Sequence, residues 1–398
     1  MGRPASDALS PHARRDGVLL LMRTLGAPLT YILEPLGKHE TVTPLAWQEP
    51  PPAEWELGGR RRRRSRRTDT TEYYGREIRL RRARSDREYP WTVTLASPRL
   101  FWRLLRAPDD VIVAVELNLG ALFAVMSKVC GRRKVVVLVE GDPGHLGKTG
   151  SAGVKVLLRR LIARFADVIV ANSSTATNYL VGTLRVERER IVEGWWLAGL
   201  PGTDDAPGGR EYTEIDQAPV FLVAGQLIPR KGIDLLLPAI ARYVAECGRC
   251  HLRIVGDGPE RHRLEQQAKE LGIQEHTEFV GAIAHQDMID MLRSCDLLVL
   301  PTLYDLVGRV VVEALSVGTP VAVSCRSGAA NTLVREGKNG VVMNPEDPAS
   351  MVDALRRATD PELYERILAG ARASRAELTP DAAADVIARG VAIARAAD

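Results

Sequence analysis

The chain has little of what staples a small fold or spans a membrane. Five cysteines are scattered over 398 residues, which excludes a disulfide framework. Cys247 and Cys250 have Cys-x-x-Cys spacing, but no second Cys or His pair completes a zinc site, so they read as structural, with a redox role as the alternative. No run of 18 apolar residues occurs. The longest candidate, Val111 to Met126, is broken by Glu116 and Asn118, so no membrane-spanning helix is expected. The polar N-terminus, residues 1–16, lacks a signal-peptide core, and a cytoplasmic protein is the expectation. A Gly-x-Gly-x-x-Gly fingerprint is missing, which argues against a dehydrogenase.

Charge of either sign is nearly balanced, at net +4, but unevenly spread. Residues 60–87 hold 13 arginines against four acids, Asp69, Glu72, Glu77 and Asp86, so the rest of the chain is net negative. The run Arg60 to Arg67 follows Pro- and Gly-rich sequence and cannot build a core. It reads as a solvated loop, 58–87, or as a patch for an anionic membrane surface or anionic acceptor. Nucleic acid is a poor fit, because no recognised nucleic-acid module accompanies the arginines.

What the chain does have is length for two or three domains and a repeating strand–helix pattern. Apolar runs at 17–22, 111–115, 134–139 and 167–171 read as buried strands with helices between them. The pattern breaks in the Gly- and Pro-rich stretch from Gly199 to Pro219 and then restarts at Val220 to Ala224. Strands about 25–30 residues apart, with helices between, give an α/β protein with two doubly wound parallel sheets. An N-terminal domain spanning 1–200 and a C-terminal domain spanning 219–374 follow, with a final helix, about 375–398, left over. Glu140-Gly-Asp-Pro-Gly-His-Leu-Gly-Lys-Thr-Gly150 is a near miss for a phosphate-binding P-loop. Asp142 stands where that loop needs glycine. NTPase chemistry and a Gly-rich loop at a cleft are the competing readings.

The most informative stretch is 299–324. A strand end leads into a polar loop, Pro301 to Gly308, then a helix from Arg309 to Val317, a stop at Gly318, Pro320 and another short strand. Asp305 and Glu313 stand eight positions apart. A loop feeding a helix N-terminus suits a phosphate, and carboxylates accept hydrogen bonds from hydroxyls. Together they suggest a nucleotide-sugar site.

This stretch resembles the donor signature of retaining glycosyltransferases of family 4, which have the GT-B fold. Tyr304, Gly308, Glu313, Ala314, Gly318, Pro320 and Val321 match that pattern, whereas Asp305 replaces a Glu and Leu306-Val307 replaces Gly-Phe. A second stretch, Gly225-Gln-Leu-Ile-Pro-Arg-Lys-Gly232, matches the family's diphosphate loop at Lys231 and Gly232, with Gln226 where an Arg is usual. Arg230 either replaces that charge or points to solvent.

The resemblance implies two Rossmann-like domains facing a cleft, with the last helix crossing back onto the first. It implies transfer of a sugar, with retention, from a nucleoside-diphosphate sugar to a hydroxyl acceptor, and no resident cofactor or metal. Asp305 would hold the donor sugar and Glu313 the ribose. Lys231, Arg230, Gly225 and the Gly308-Arg309-Val310 backbone would hold the diphosphate, and Val280 and Gly281 would lie along the base. Glu140 stands where the family often has a histidine, and His145 follows five positions later, so both are candidates opposite the sugar. Gly26 and Asp142 would face the acceptor. A nucleotide-sugar 2-epimerase on the same fold and a non-catalytic protein binding an anionic surface are the alternatives.

Overall fold

The computed structural model describes residues 15–22, 32–46, 75–81, 91–131, 133–140, 152–197, 208, 218–305 and 307–397. Among these residues the first half of the chain contributes β1 (Arg15–Met22), β2 (Val42–Ala46), β3 (Gly75–Arg81), β4 (Trp91–Ala96), β5 (Asp109–Val115), β6 (Lys134–Val139), β7 (Val168–Ala171) and β8 (Ile191–Glu193). Its helices are α1 (Leu33–Gly37), α2 (Pro98–Leu105), α3 (Leu119–Gly131), α4 (Ala152–Phe165) and α5 (Ser174–Asn178). Six strands form a parallel sheet in the order β2-β1-β5-β6-β7-β8. The β6 sequence KVVVLV shows why: β-branched residues on both faces suit a strand covered by helices on each side.

The second half repeats the design with β9 (Val220–Ala224), β10 (His251–Val255), β11 (Thr277–Gly281), β12 (Leu297–Leu300), β13 (Val321–Ser324) and β14 (Gly340–Met343). They too form a parallel sheet, ordered β11-β10-β9-β12-β13-β14. The accompanying helices are α6 (Ile233–Cys247), α7 (Arg261–Glu270), α8 (His285–Arg293), α9 (Arg309–Val317), α10 (Pro348–Ala358), α11 (Pro361–Ser374) and α12 (Pro380–Ala396). Strand order reverses beside β9, so the loops after β9 and β12 open a crevice at the carboxyl edge of the sheet.

Each sheet has a core on both faces. In the first, Leu19, Ile112, Val137 and Ile169 pack against α2 to α4. The opposite face, with Leu20, Val113, Val136 and Val170, packs against α12, which buries Ala383, Ile387, Val391 and Ala394 there. The last helix of the chain therefore belongs to the first sheet's core. Its end is tied down by Arg395, whose guanidinium donates to Asp110 at 2.7 Å and to Glu40 at 2.8 Å. No described helix is long and apolar enough to cross a membrane.

The segment read as an Arg-rich loop over 58–87 needs correction. Gly75–Arg81 is a strand, paired antiparallel with Trp91–Ala96. Ile78 and Leu80 alternate with Arg79 and Arg81, a period of two that the charge count concealed. The Arg60–Arg67 run, Gly26, Asp142 and His145 lie outside the described residues, as does nearly all of the Gly- and Pro-rich stretch before β9.

Candidate active site

The site is built where the loops after β9 and β12 meet. After β9 the chain turns through Gly225 into a short 3-10 turn, Pro229–Lys231, and Gly232 starts α6 in the left-handed region at φ 66°. After β12 the loop 301–308 leads into α9. The two loops are stitched together by backbone: the Leu303 amide donates to the Arg230 carbonyl at 2.9 Å, and the Arg230 guanidinium donates to the Tyr304 carbonyl. Thr302, fully buried, donates its hydroxyl to that same Arg230 carbonyl or to Tyr304's.

This stitching brings Asp305 and Lys231 into contact although they are 74 residues apart. The Lys231 ammonium donates to Asp305 Oδ2 at 2.7 Å, and Arg230 stands 3.6 Å from the same oxygen. The other oxygen, Oδ1, accepts from the amides of Gly308 at 3.0 Å and Val307 at 3.4 Å, closing an Asx-type turn onto the start of α9. Burial alone would push the Asp305 carboxyl up. The Lys231 charge and hydrogen bond, the Gly308 amide and Arg230 outweigh it and hold Asp305 below the usual carboxylate range. Sequence reasoning assigned Lys231 and Asp305 to separate parts of a donor; the structure shows them neutralising each other.

Glu313 lies one turn into α9, half-buried between Val312 and Ala314. Burial raises its pKa, and Arg309, 3.9 Å away, pulls it back. Gly308 precedes the helix without a side-chain cap, so the first amides of α9, from Arg309 and Val310, have no intrahelical partner. Val280 is half-buried, and the Gly281 carbonyl accepts from the Gly256 amide at 2.8 Å, joining the ends of β11 and β10 on the same sheet edge. The turn Ser327 to Ala330 backs the site: the Gly328 amide donates to the Asp305 carbonyl at 2.8 Å.

From the first sheet, Glu140 reaches the same region. Burial pushes its carboxyl above the usual range. Arg309 draws it down and Asp305 adds to the rise, so the end of β6 and the start of α9 feel each other across the cleft. The sequence reading missed its neighbour, Glu116, at the end of β5. Glu116 adopts φ 67°, a left-handed conformation that costs a non-glycine residue about 1–2 kcal/mol, and its Oε1 accepts the Glu140 amide at 2.9 Å. Burial pushes Glu116 up to about 8, with the charge of Glu140 adding to it against the Glu140 amide and Arg159. An acid ending an apolar strand, as Glu140 also does, was the available signal.

This raised pKa has a consequence for stability. Folding favours the protonated form of Glu116, so its contribution is full below the ordinary carboxylate pKa of about 4 and is lost as pH rises toward about 8. Glu116→Gln fixes a neutral side chain. Its melting temperature should exceed that of the wild type by a margin that widens from pH 5 to pH 8. A difference that does not change with pH would contradict the shift.

A cavity of about 310 Å³ separates the two sheets at the ends of β7 and β8. Its wall includes Asn172, Ser173, Trp195, Asn331 and Thr332. Ser173 is the N-cap of α5 and accepts the Ala176 amide at 2.9 Å. The side-chain amide of Asn172 and the indole N–H of Trp195 are buried without partners among the described residues.

Comparison with known proteins identifies the domain that holds these loops. Residues 210–374 match the family model described as Glycosyl transferases group 1, so the chain carries that domain. It is 31% identical over 159 residues to an alpha-D-kanosaminyltransferase from Streptomyces kanamyceticus, covering 40% of this chain and 41% of that protein. It is 28% identical over 252 residues to a D-inositol 3-phosphate glycosyltransferase from a Nocardioides species, covering 58% of this chain and 55% of that protein. The chain thus spans about half or less of the length of these curated relatives. Among solved structures, Anabaena HepE in complex with UDP has a TM-score of 0.66 at 18% identity, covering 94% of this chain and 99% of that one. Sucrose-phosphate synthase from Thermosynechococcus elongatus has a TM-score of 0.65 at 17% identity, covering 96% and 100%. At such identities the likeness shows the fold, which is GT-B.

Proposed function

We propose that this protein is a retaining glycosyltransferase that moves a sugar from a nucleoside-diphosphate sugar to a hydroxyl acceptor. The observation that carries the reading is the convergence of Lys231, Arg230, Asp305 and the start of α9 at the carboxyl ends of β9 and β12. Two cations and the uncapped amides of a helix meet at one point, which suits a diphosphate. In this reading the diphosphate displaces Asp305 from Lys231 and frees that carboxylate for the donor sugar. Glu313 accepts from the ribose hydroxyls, and Gly225, Val280 and Gly281 border the nucleoside.

The reaction breaks the bond between the anomeric carbon and the diphosphate oxygen and forms one to the acceptor oxygen, whose hydroxyl proton passes to the departing diphosphate. The negative charge left on the diphosphate falls on Lys231, Arg230 and the α9 amides, so the proposal needs no metal ion. Glu140 faces the anomeric carbon from the other sheet, where a carboxylate favours developing positive charge, and Glu116 holds its backbone. Support also comes from HepE, whose structure contains UDP, and from relatives named as glycosyltransferases.

A thermal-shift panel of nucleotide sugars tests the donor half. A ligand at 100 times its Kd stabilises by about 2.7 kcal/mol, which reads as a clear rise in melting temperature. Glu313→Ala should weaken the response by about tenfold in Kd, near 1.5 kcal/mol, through loss of hydrogen bonds to the ribose. A panel without a responder sinks the assignment. Incubation with donor alone separates the epimerase: an epimerised nucleotide sugar formed without acceptor would replace the transferase reading.

A further inference from the structure

Three neighbouring helices on the first sheet do not behave like the rest of the surface. α4 is buried on one side through Ile162 and Ala163, yet Val154, Leu157, Leu161 and Phe165 project on the opposite side. Val154 is 73% exposed and Leu157 68%, and the spacing of the four at 154, 157, 161 and 165 draws one stripe down the helix. α3, which packs beside α4, adds Met126 and Val129, the latter 75% exposed. α2, beside α3, adds Trp102 at 57%. A soluble helix normally hides one apolar stripe; α4 has a second with nothing described upon it.

The charge of this face is one-signed. α2, α3 and α4 contain no Asp or Glu, but carry Arg99, Arg103, Lys128, Lys155, Arg159, Arg160 and Arg164. Lys128 is paired with Asp167. Among the described residues Arg160 donates to the Thr183 carbonyl, a neutral acceptor, and Arg160 and Arg164 flank the α4 stripe. An apolar stripe flanked by Arg160 and Arg164, on helices that carry no acid of their own, fits an anionic lipid surface: the apolar side chains enter the headgroup boundary and the arginines meet lipid phosphates. A second copy fits less well. A two-fold interface would set these arginines against their own images, where like charges repel.

We propose that the α2–α3–α4 face docks on an anionic bilayer, whatever the cleft transfers. None of its residues belongs to the Arg60–Arg67 run.

Co-sedimentation of the full chain with phosphatidylcholine vesicles, with and without phosphatidylglycerol, tests it. The chain should pellet with the anionic vesicles, release at high salt, and stay soluble with neutral ones. Leu157→Glu/Leu161→Glu, at exposed positions, should abolish pelleting while keeping the wild-type melting temperature. Arg160→Gln/Arg164→Gln keeps the apolar stripe and decides the matter if the first variant unfolds. Each cation near an anionic leaflet strengthens binding about fivefold, so this variant should bind roughly 25-fold more weakly. Deletion of residues 58–68 should leave vesicle binding in place. Three results overturn the proposal: binding lost on that deletion but kept in both face variants; equal pelleting with neutral vesicles; or a wild-type dimer that Leu157→Glu/Leu161→Glu converts to a monomer, which makes the face an interface between copies.

Discussion

Lys231→Met should lower kcat/KM by about 100-fold or more, close to 3 kcal/mol of lost transition-state stabilisation. Two effects add. The diphosphate loses a cation that donates to it directly. Asp305 also loses its closest partner; Arg230 at 3.6 Å and the Gly308 and Val307 amides remain, so folding loses only part of the about 3–5 kcal/mol that a fully unpaired buried charge costs. The two side chains are 15% and 18% exposed, so solvent screens the pair only weakly. The second effect has its own signature, in pH. The depressed pKa of Asp305 stabilises the fold above its unfolded value, near 4, and that stability is lost as pH falls through the lower folded value. The melting temperature of Lys231→Met should therefore trail the wild type at pH 7 and approach it as the buffer is acidified below about 4. A gap that stays constant with pH would mean that the ion pair contributes nothing. Normal turnover would remove Lys231 from the donor site.

Gly232→Ala is the second large effect, and it acts through backbone alone. Gly232 sits at φ 66°, and a Cβ there would lie 2.2 Å from the carbonyl oxygen of Pro301. A flexible side chain could move aside, but a carbonyl in the loop after β12 cannot do so without pulling that loop away. The cost is the left-handed strain of about 1–2 kcal/mol plus the separation of the two loops, so about 3 kcal/mol or more is expected. At roughly 2–4 °C per kcal/mol this is a fall of some 6–12 °C in melting temperature. Donor binding should fall with it, because the Leu303 and Arg230 hydrogen bonds between the loops hold Asp305 beside Lys231. Gly182→Ala is the control, since nothing lies within 4 Å of its added Cβ. Equal melting of the two variants would show that the loops are not pressed together.

Much of the architecture could be read from local pattern because a parallel strand buried on both faces must be apolar throughout. KVVVLV at β6 and VFLVA at β9 suit strands covered by helices on both faces of an α/β chain. The stretch 299–324 was legible for a related reason: strand, loop, helix and glycine stop follow one another, so the position of Glu313 on α9 depends on short-range geometry. The β3–β4 hairpin was missed because its arginines drew attention to charge rather than to their alternation with Ile78 and Leu80.

Sequence by itself determined the two doubly wound sheets, the helices between them, and which residue types stand at the strand ends facing the cleft. Only the tertiary structure decided which of those ends meet. Asp305 finds Lys231 because the backbone of two loops interlocks, Glu116 rises to about 8 because β5 and β6 lie side by side, and α12 returns to the first sheet because its apolar face fits there. Hydrophobic periodicity acts over a few residues and is written in order along the chain. Desolvation and charge pairing act through space, between residues the sequence holds far apart.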